Sequence, residues 1–284
     1  MKNNTKIAVI GSGTMGNGIA HVFSQANFDT LLVDINKNQL IKAMEVIEKN
    51  LERQIKKNII SVKDKDNILR NIKTSDNIDD CKEIDLVIEA IPEKYELKVS
   101  LFKKLDNICK SSTIFASNTS SISISNLGNQ TNRPDKMIGM HFMNPVPIMK
   151  LVEIINTIHT SDLTTNKIVE VTKKINKIPI QCNDYPGFIS NRILMPMINE
   201  AIFCLEQNIA DKEAIDGIMK LGMSHPMGPL QLADFIGLDV CLDIMEVLCL
   251  GFNDSKYRPC PLLKKMVSSG LLGRKTGRGF YNYG

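Results

Sequence analysis

Short, continuously apolar runs alternate with longer amphipathic stretches through the first two thirds of the chain. Residues 6–10 read as a buried strand, 15–26 as a helix and 30–34 as a second strand. A long helical stretch runs from residue 36 to about residue 57, and a polar segment separates it from the strand-like 85–91. A further helix at 95–109 leads to strands at 114–117 and 137–141. Residues 151–155 and 178–181 extend the strand count, with a helix between them from about Leu163. Strands alternating with helices imply β-α-β units and a mostly parallel sheet covered on both faces, hence an α/β fold.

The pattern changes at Asp184-Tyr185-Pro186-Gly187. Beyond it the chain reads as helices only, at 188–207, 211–221, 229–251 and 261–269. Adjacent Pro and Gly punctuate the chain, which places a domain boundary here. The expectation is a first domain over 1–185 and a second, all-α domain over 186–284. A chain of 284 residues suits two modest domains better than one. No internal repeat is present.

Composition narrows the function classes. The 35 Lys+Arg and 31 Asp+Glu are interspersed and leave a net charge of +4, so there is neither a nucleic-acid stripe nor a membrane-binding tail. A small basic excess suits an anionic small-molecule substrate. Seven cysteines form an odd set with no C-x-x-C pair and no metal-ligand spacing, so we expect no metal and buried, reduced thiols in a cytoplasm. The polar residues 1–6 lead directly into an apolar strand and do not read as a signal peptide. The most apolar stretch, 238–252, carries Asp239, Asp243 and Glu246, which rules out a membrane span there.

Gly11-Ser12-Gly13-Thr14-Met15-Gly16 follows the first strand and opens a helix. In a G-x-G-x-x-G turn, Gly11 permits the tight bend and Gly13 lets a pyrophosphate approach the backbone. Gly16 allows close packing of helix on strand, and the helix N-terminus faces the phosphates. Asp34, 18 residues beyond Gly16, ends the next strand, where an acid would bind the adenosine ribose. Together they imply a Rossmann-like dinucleotide-binding domain. The competing reading is a glycine-rich turn, with Asp34 capping the following helix. A carboxylate at 34 repels a 2′-phosphate and favours NAD over NADP, although Lys37 lies close by.

His141 ends an apolar strand, and Glu153 sits inside the apolar run Leu151-Val152-Glu153-Ile154-Ile155. A carboxylate in such a run is costly to bury unless paired, so a histidine partner fits, and would hold His141 in one tautomer. A core histidine and a solvent-facing glutamate would explain the spacing equally well. The loop Ser117-Asn118-Thr119-Ser120-Ser121 is dense in hydroxyl and amide groups, and Asn191 stands early in the first C-terminal helix.

Together these residues resemble the L-3-hydroxyacyl-CoA dehydrogenase family, and within it the bacterial members acting on 3-hydroxybutyryl-CoA. The matching blocks are 9–16, 85–90, 117–121, 139–147, 186–192, 225–230 and 273–281, in order along essentially the whole chain. The resemblance implies His141 as general base, Glu153 as its orienting partner, and Ser120 and Asn191 as substrate contacts. On the cofactor side it implies Gly11, Gly13, Thr14, Met15, Gly16, Asp34, Glu93, Lys98, Asn118, Asn144 and Lys275. For the CoA moiety it implies Lys57, and Asn50 where some relatives carry serine; Arg53 and Lys56 add charge to the same helix. Met143 departs from the pattern, since many members carry a second Phe there. The resemblance further implies interconversion of (S)-3-hydroxybutyryl-CoA and acetoacetyl-CoA with NAD, in butanoate and fatty acid metabolism. It implies a homodimer whose helical domain serves substrate binding and dimerisation. The alternatives are a dehydrogenase of a free 3-hydroxy or sugar acid, and a nucleotide-binding protein that has lost the chemistry.

Overall fold

The apolar run Ile7 to Ile10 offers no polar side to water, so it is buried on both faces and forms the end of a strand, β1 (Asn3–Ile10). The computed structural model describes residues 3–284. After β1 come α1 (Thr14–Gln25), β2 (Phe28–Val33), α2 (Lys37–Lys56), α3 (Val62–Arg70), β3 (Ile72–Ser75) and β4 (Leu86–Glu89). They are followed by α4 (Tyr95–Ile108), β5 (Ile114–Ser117), α5 (Ile124–Gly128), β6 (Met137–Phe142), β7 (Leu151–Asn156), α6 (Asp162–Lys174) and β8 (Ile178–Asn183). The eight strands form one sheet in the order β3-β2-β1-β4-β5-β6-β7-β8. Neighbours are parallel except β6 and β7, which run antiparallel. Every residue of β4, β5 and β6 is buried, so both faces of the sheet are covered there. The α/β fold read from the sequence is therefore present, with a Rossmann-like strand order. The order reverses between β1 and β4, which is where open α/β sheets bind ligands, outside the carboxyl ends of the strands.

The chain divides into two compact units, one ending at Asp184 and the other spanning Tyr185–Gly284. The first has a core that includes Val9, Phe23, Phe28, Leu32, Ile88 and Met140. The second is helical: α7 (Ser190–Glu206), α8 (Lys212–Gly222), α9 (Pro229–Ile236), α10 (Leu238–Phe252) and α11 (Pro261–Ser268). Its own core includes Met195, Ile202, Leu230, Met245, Leu248 and Leu263. Buried Asp234 fastens the chain end to this core by accepting hydrogen bonds from Phe280 N, Tyr281 N and Tyr283 Oη at 2.9, 2.9 and 3.1 Å. None of the described helices is long and apolar enough to cross a membrane. All seven cysteines are free. Burial pushes the thiols of Cys81 and Cys241 up to about 12, which disfavours thiolate chemistry.

Three elements differ from the pattern read along the chain. The polar segment after α2 contains α3 and β3. α3 buries only Ile68, so its apolar periodicity is nearly absent, and it is held by a capping box between Ser61 and Asp64. The single helix expected over 229–251 is two helices, because Gly237 at φ +106° interrupts it between α9 and α10. The first C-terminal helix starts at Ser190 rather than 188, since Gly187 and Phe188 both have positive φ.

His21 lies fully buried on α1, its Nε2 3.3 Å from Gln54 Nε2 and its Nδ1 without a hydrogen-bond partner. Burial lowers its pKa from 6.5 to about 4, and the Lys177 charge pushes in the same direction. The folded pKa lies below the unfolded one, so the unfolded chain takes up the proton first. Stability is retained above the unfolded value and lost as pH falls from about 6.5 toward about 4, by about 3 kcal/mol in total. Urea denaturation of the wild type and His21→Leu across this window should show a steeper acid loss in the wild type. Parallel profiles would remove His21 as its source.

Candidate active site

The carboxyl ends of β1 and β2 carry the first group of candidate residues. Gly11 turns the chain at φ +97°, and its N–H donates to Val33 O at 2.8 Å. α1 begins directly behind this turn, and a Cβ on Gly16 would lie 1.7 Å from Gly11 O. A Cβ on Gly13 would meet nothing within 4 Å, so the turn is open on the side where a ligand would approach. The N-cap of α1 is Gly13, with no side-chain cap and no acidic residue in the first turn. Thr14 is exposed and Met15 half-buried. Asp34 accepts from Ser12 N and Ser12 Oγ at 2.8 Å each, and from Asn36 N at 2.9 Å. The cap of α2 is Asn36, whose side chain accepts from Asn38 N and Gln39 N. Asp34 is thus not the helix cap, and its carboxylate stands against the glycine turn instead. Lys37 is paired with Asp76 at 3.1 Å. An uncapped helix start, an open glycine turn and a carboxylate at the end of β2 are the features a dinucleotide requires.

The ends of β4 and β5 carry a second group. Glu89 and Lys98 are both buried, 0% and 1% exposed at the side chain, with Nζ 2.5 Å from Glu89 Oε1. Glu89 also accepts from Ile91 N at 2.8 Å and, through Oε2, from Ser117 Oγ at 2.5 Å. Ser117 Oγ in turn accepts from Thr119 N at 3.2 Å. Thr119 Oγ1 donates to Glu93 Oε1, and Glu93 Oε2 lies 3.1 Å from Lys98 Nζ. Five groups therefore close a ring: Lys98, Glu89, Ser117, Thr119 and Glu93. Ser120 N and Ser121 N also donate to Glu93 Oε1, at 3.0 and 3.2 Å. Burial raises the Glu89 pKa above the ordinary carboxylate value, against the pull of Lys98. For Glu93 burial is outweighed by the Lys98 charge and the hydrogen bonds from the loop, so its pKa is lowered.

At the end of β6, His141 faces Glu153 of β7 in antiparallel register, and Nδ1 lies 2.8 Å from Glu153 Oε2. Both residues are buried. This settles the choice left open by spacing: the glutamate points inward and meets the histidine. Asn118 Oδ1 accepts from Phe142 N at 2.9 Å, which ties the serine loop to the strand end beside His141. Asn144 is exposed and precedes a cis peptide bond to Pro145.

The remaining candidates stand elsewhere. Asn50 is half-buried on α2 and accepts from Arg53 Nη1 at 3.2 Å, while Arg53, Lys56 and Lys57 are exposed at the C-terminal end of that helix. Cations at this position also complement the helix dipole. Asn191 and Lys275 belong to the helical unit. Asn191 is buried in the first turn of α7, and Lys275 is ion-paired with Asp239. Of the ring members, Glu89 is the one to which the sequence pattern gives no role. Glu89 carried the same signal as Glu153, a lone carboxylate inside an apolar run.

Two family models match the chain. The NAD binding domain of 3-hydroxyacyl-CoA dehydrogenase matches residues 6–185, and the C-terminal domain of the same family matches residues 187–283. A probable 3-hydroxybutyryl-CoA dehydrogenase of Deinococcus radiodurans is 54% identical over 278 residues, 98% of this chain and 100% of the relative. The 3-hydroxybutyryl-CoA dehydrogenase of Bradyrhizobium diazoefficiens is 52% identical, over 98% of this chain and 95% of the relative. The crystal structure of (S)-3-hydroxybutyryl-CoA dehydrogenase from Ralstonia eutropha superposes with a TM-score of 0.96 at 48% identity, covering 98% and 99% of the two chains.

Gly16→Ala tests the glycine turn, because its Cβ would have to displace the Gly11 backbone. The variant should bind NADH at least about tenfold more weakly than wild type, a loss of about 1.4 kcal/mol. Enhancement of NADH fluorescence on binding reads this directly, and unchanged affinity would refute the role given to the turn.

Proposed function

The chain belongs to the 3-hydroxyacyl-CoA dehydrogenase family, and on that premise we propose that it interconverts (S)-3-hydroxybutyryl-CoA and acetoacetyl-CoA with NAD(H). The substrate reading is supported by the names of relatives matched over nearly their whole length. The observation that carries the mechanism is the buried pair of His141 and Glu153 at 2.8 Å. With Nδ1–H donating to the carboxylate, Nε2 is the basic nitrogen of the ring. In oxidation Nε2 takes the proton of the 3-hydroxyl, and Glu153 steadies the imidazolium that forms. In reduction the same nitrogen starts protonated and returns the proton to the oxygen. Bound NAD supplies the hydride acceptor for carbon 3, and NADH the donor in the reverse direction. Ser120 and Asn191 are the residues proposed to hold the reacting oxygen.

We assign Gly11, Gly13, Thr14, Met15, Gly16, Asp34, Glu93, Lys98, Asn118, Asn144 and Lys275 to the cofactor. NAD is favoured over NADP because the Asp34 carboxylate would repel a 2′-phosphate, and Lys37, its nearest cation in sequence, is engaged by Asp76. Asn50 and Lys57 are assigned to CoA. Residues 1–185 form the cofactor-binding domain and 186–284 the domain for substrate and dimerisation. Leu221 and Leu250 are 90% and 81% exposed on that helical unit, apolar surface that a second copy would cover. The setting is the cytoplasm, in butanoate and fatty acid metabolism. Sedimentation should give twice the chain mass.

Absorbance at 340 nm with acetoacetyl-CoA tests the reading. NADH should be consumed rapidly and NADPH much more slowly, and His141→Ala should lower kcat by about 10²–10⁴-fold. Silence with both cofactors would move the substrate to a free hydroxy acid or take the protein out of the enzymes. Normal turnover by His141→Ala would overturn the base assignment.

A further inference from the structure

Two ionised groups taken from water cost several kcal/mol each, and an apolar pair of the same size would often be as stable. Glu89 and Lys98 are nevertheless buried at the carboxyl end of β4. Their bonds lead outward: Glu89 holds Ser117 Oγ, Ser117 Oγ holds Thr119 N, and Thr119 Oγ1 reaches Glu93, which returns to Lys98. Four of the five members are buried, and Glu93 alone is open to solvent, with 38% of its side chain exposed. A dinucleotide lying across the strand ends from Asp34, just beyond β2, past the α1 N-terminus would place its second half over β4 and β5. The ring would then stand beneath that half.

We propose that Glu89 is a positioning residue of the cofactor site. It touches no ligand itself; through the ring it fixes the Lys98 ammonium, the Glu93 carboxylate and the backbone of the 117–121 loop in one arrangement. A fully satisfied polar network specifies a single geometry, whereas a chain broken at one member leaves the others free to rearrange. The inference rests on the reading of this strand end as the nicotinamide half of the dinucleotide site. It does not depend on the identity of the acyl substrate.

The experiment is NADH binding, followed by the fluorescence of bound NADH, in wild type, Glu89→Gln, Thr119→Val and the double variant. Glu89 and Thr119 are linked through Ser117, so opening the ring at either place has the same consequence. Each single substitution should raise the dissociation constant at least about tenfold, and the double variant should be no worse than the worse single one. A merely structural Glu89 would lower the unfolding temperature and leave the NADH affinity of the folded variant unchanged. That outcome, or single effects that multiply in the double variant, overturns the proposal. Should Glu89→Gln fail to fold, Ser117→Ala opens the ring by removing one hydroxyl and is read in the same way. Wild-type protein that binds no NADH overturns the proposal as well. Wild-type protein that binds NADH but reduces no acetoacetyl-CoA overturns only the substrate reading, and the ring is still decided by the variants.

Discussion

The carbonyl oxygen of Gly11 occupies the space that any side chain at position 16 would need. This contact sets how near α1 comes to β1, and much else follows from that distance. Because the helix starts against the strand end, its first N–H groups point at the space above the sheet rather than into a loop. Ser12, held between the two glycines, donates both its N–H and its hydroxyl to Asp34 and so locks β2 to the turn. One sterically forced approach thus orients a helix dipole and a carboxylate toward the same region.

Further along the sheet, position is set by charge. Beyond the Glu89–Lys98 pair, Arg133 is buried against Asp106, with Nε 2.6 Å from Oδ1 and the guanidinium 4.8 Å from the Phe115 ring centroid. That guanidinium also donates to the backbone oxygens of Lys110 and Asp106, so its donors are spent on the chain ends around β5. Buried ion pairs of this kind contribute little net stability. They do penalise every arrangement in which a partner is missing, because an unpaired buried charge is far costlier than the pair. Glu89 and Lys98 thereby restrict the carboxyl end of β4, and Arg133 and Asp106 the chain at the amino ends of β5 and β6, at the expense of some stability.

The parts of this architecture legible in the sequence were those written in short-range pattern. Residues 7–10, 86–88 and 114–116 are continuous apolar runs, and the glycine turn has a fixed spacing, so both are readable from the residues alone. α3 was not, because a nine-residue helix that buries one side chain leaves no periodicity; only the Ser61–Asp64 cap marked it. The break at Gly237 was hidden for a different reason. A glycine in an apolar helical stretch is compatible with a continuous helix, and only the path of α10 requires the positive φ that ends α9 there. For the site, the cost of burying Glu153 pointed to a partner, and His141 supplied it. The same argument applied to Glu89, but its partner Lys98 lies nine residues away on a helix rather than on a neighbouring strand. Long-range closure of the ring through Ser117 and Thr119 depends on the pairing of β4 with β5, which no local pattern encodes.

The pairing of His141 with Glu153 depends on the one reversal of strand direction among the described strands. A parallel crossover from β6 would need a helix and many more residues before the chain could return. Turning back directly lets two residues only twelve apart in sequence face each other. Side chains alternate between the faces of a strand, so a slip of one residue in this register would put Glu153 on the opposite face from His141. The register is secured by the burial of Val152 and Ile154 on one side of the alternation and by the His141–Glu153 hydrogen bond on the other. Hydrophobic patterning therefore fixes how His141 and Glu153 meet. A change that loosened the packing of β7 would disturb the hydrogen bond between His141 and Glu153 without touching either residue.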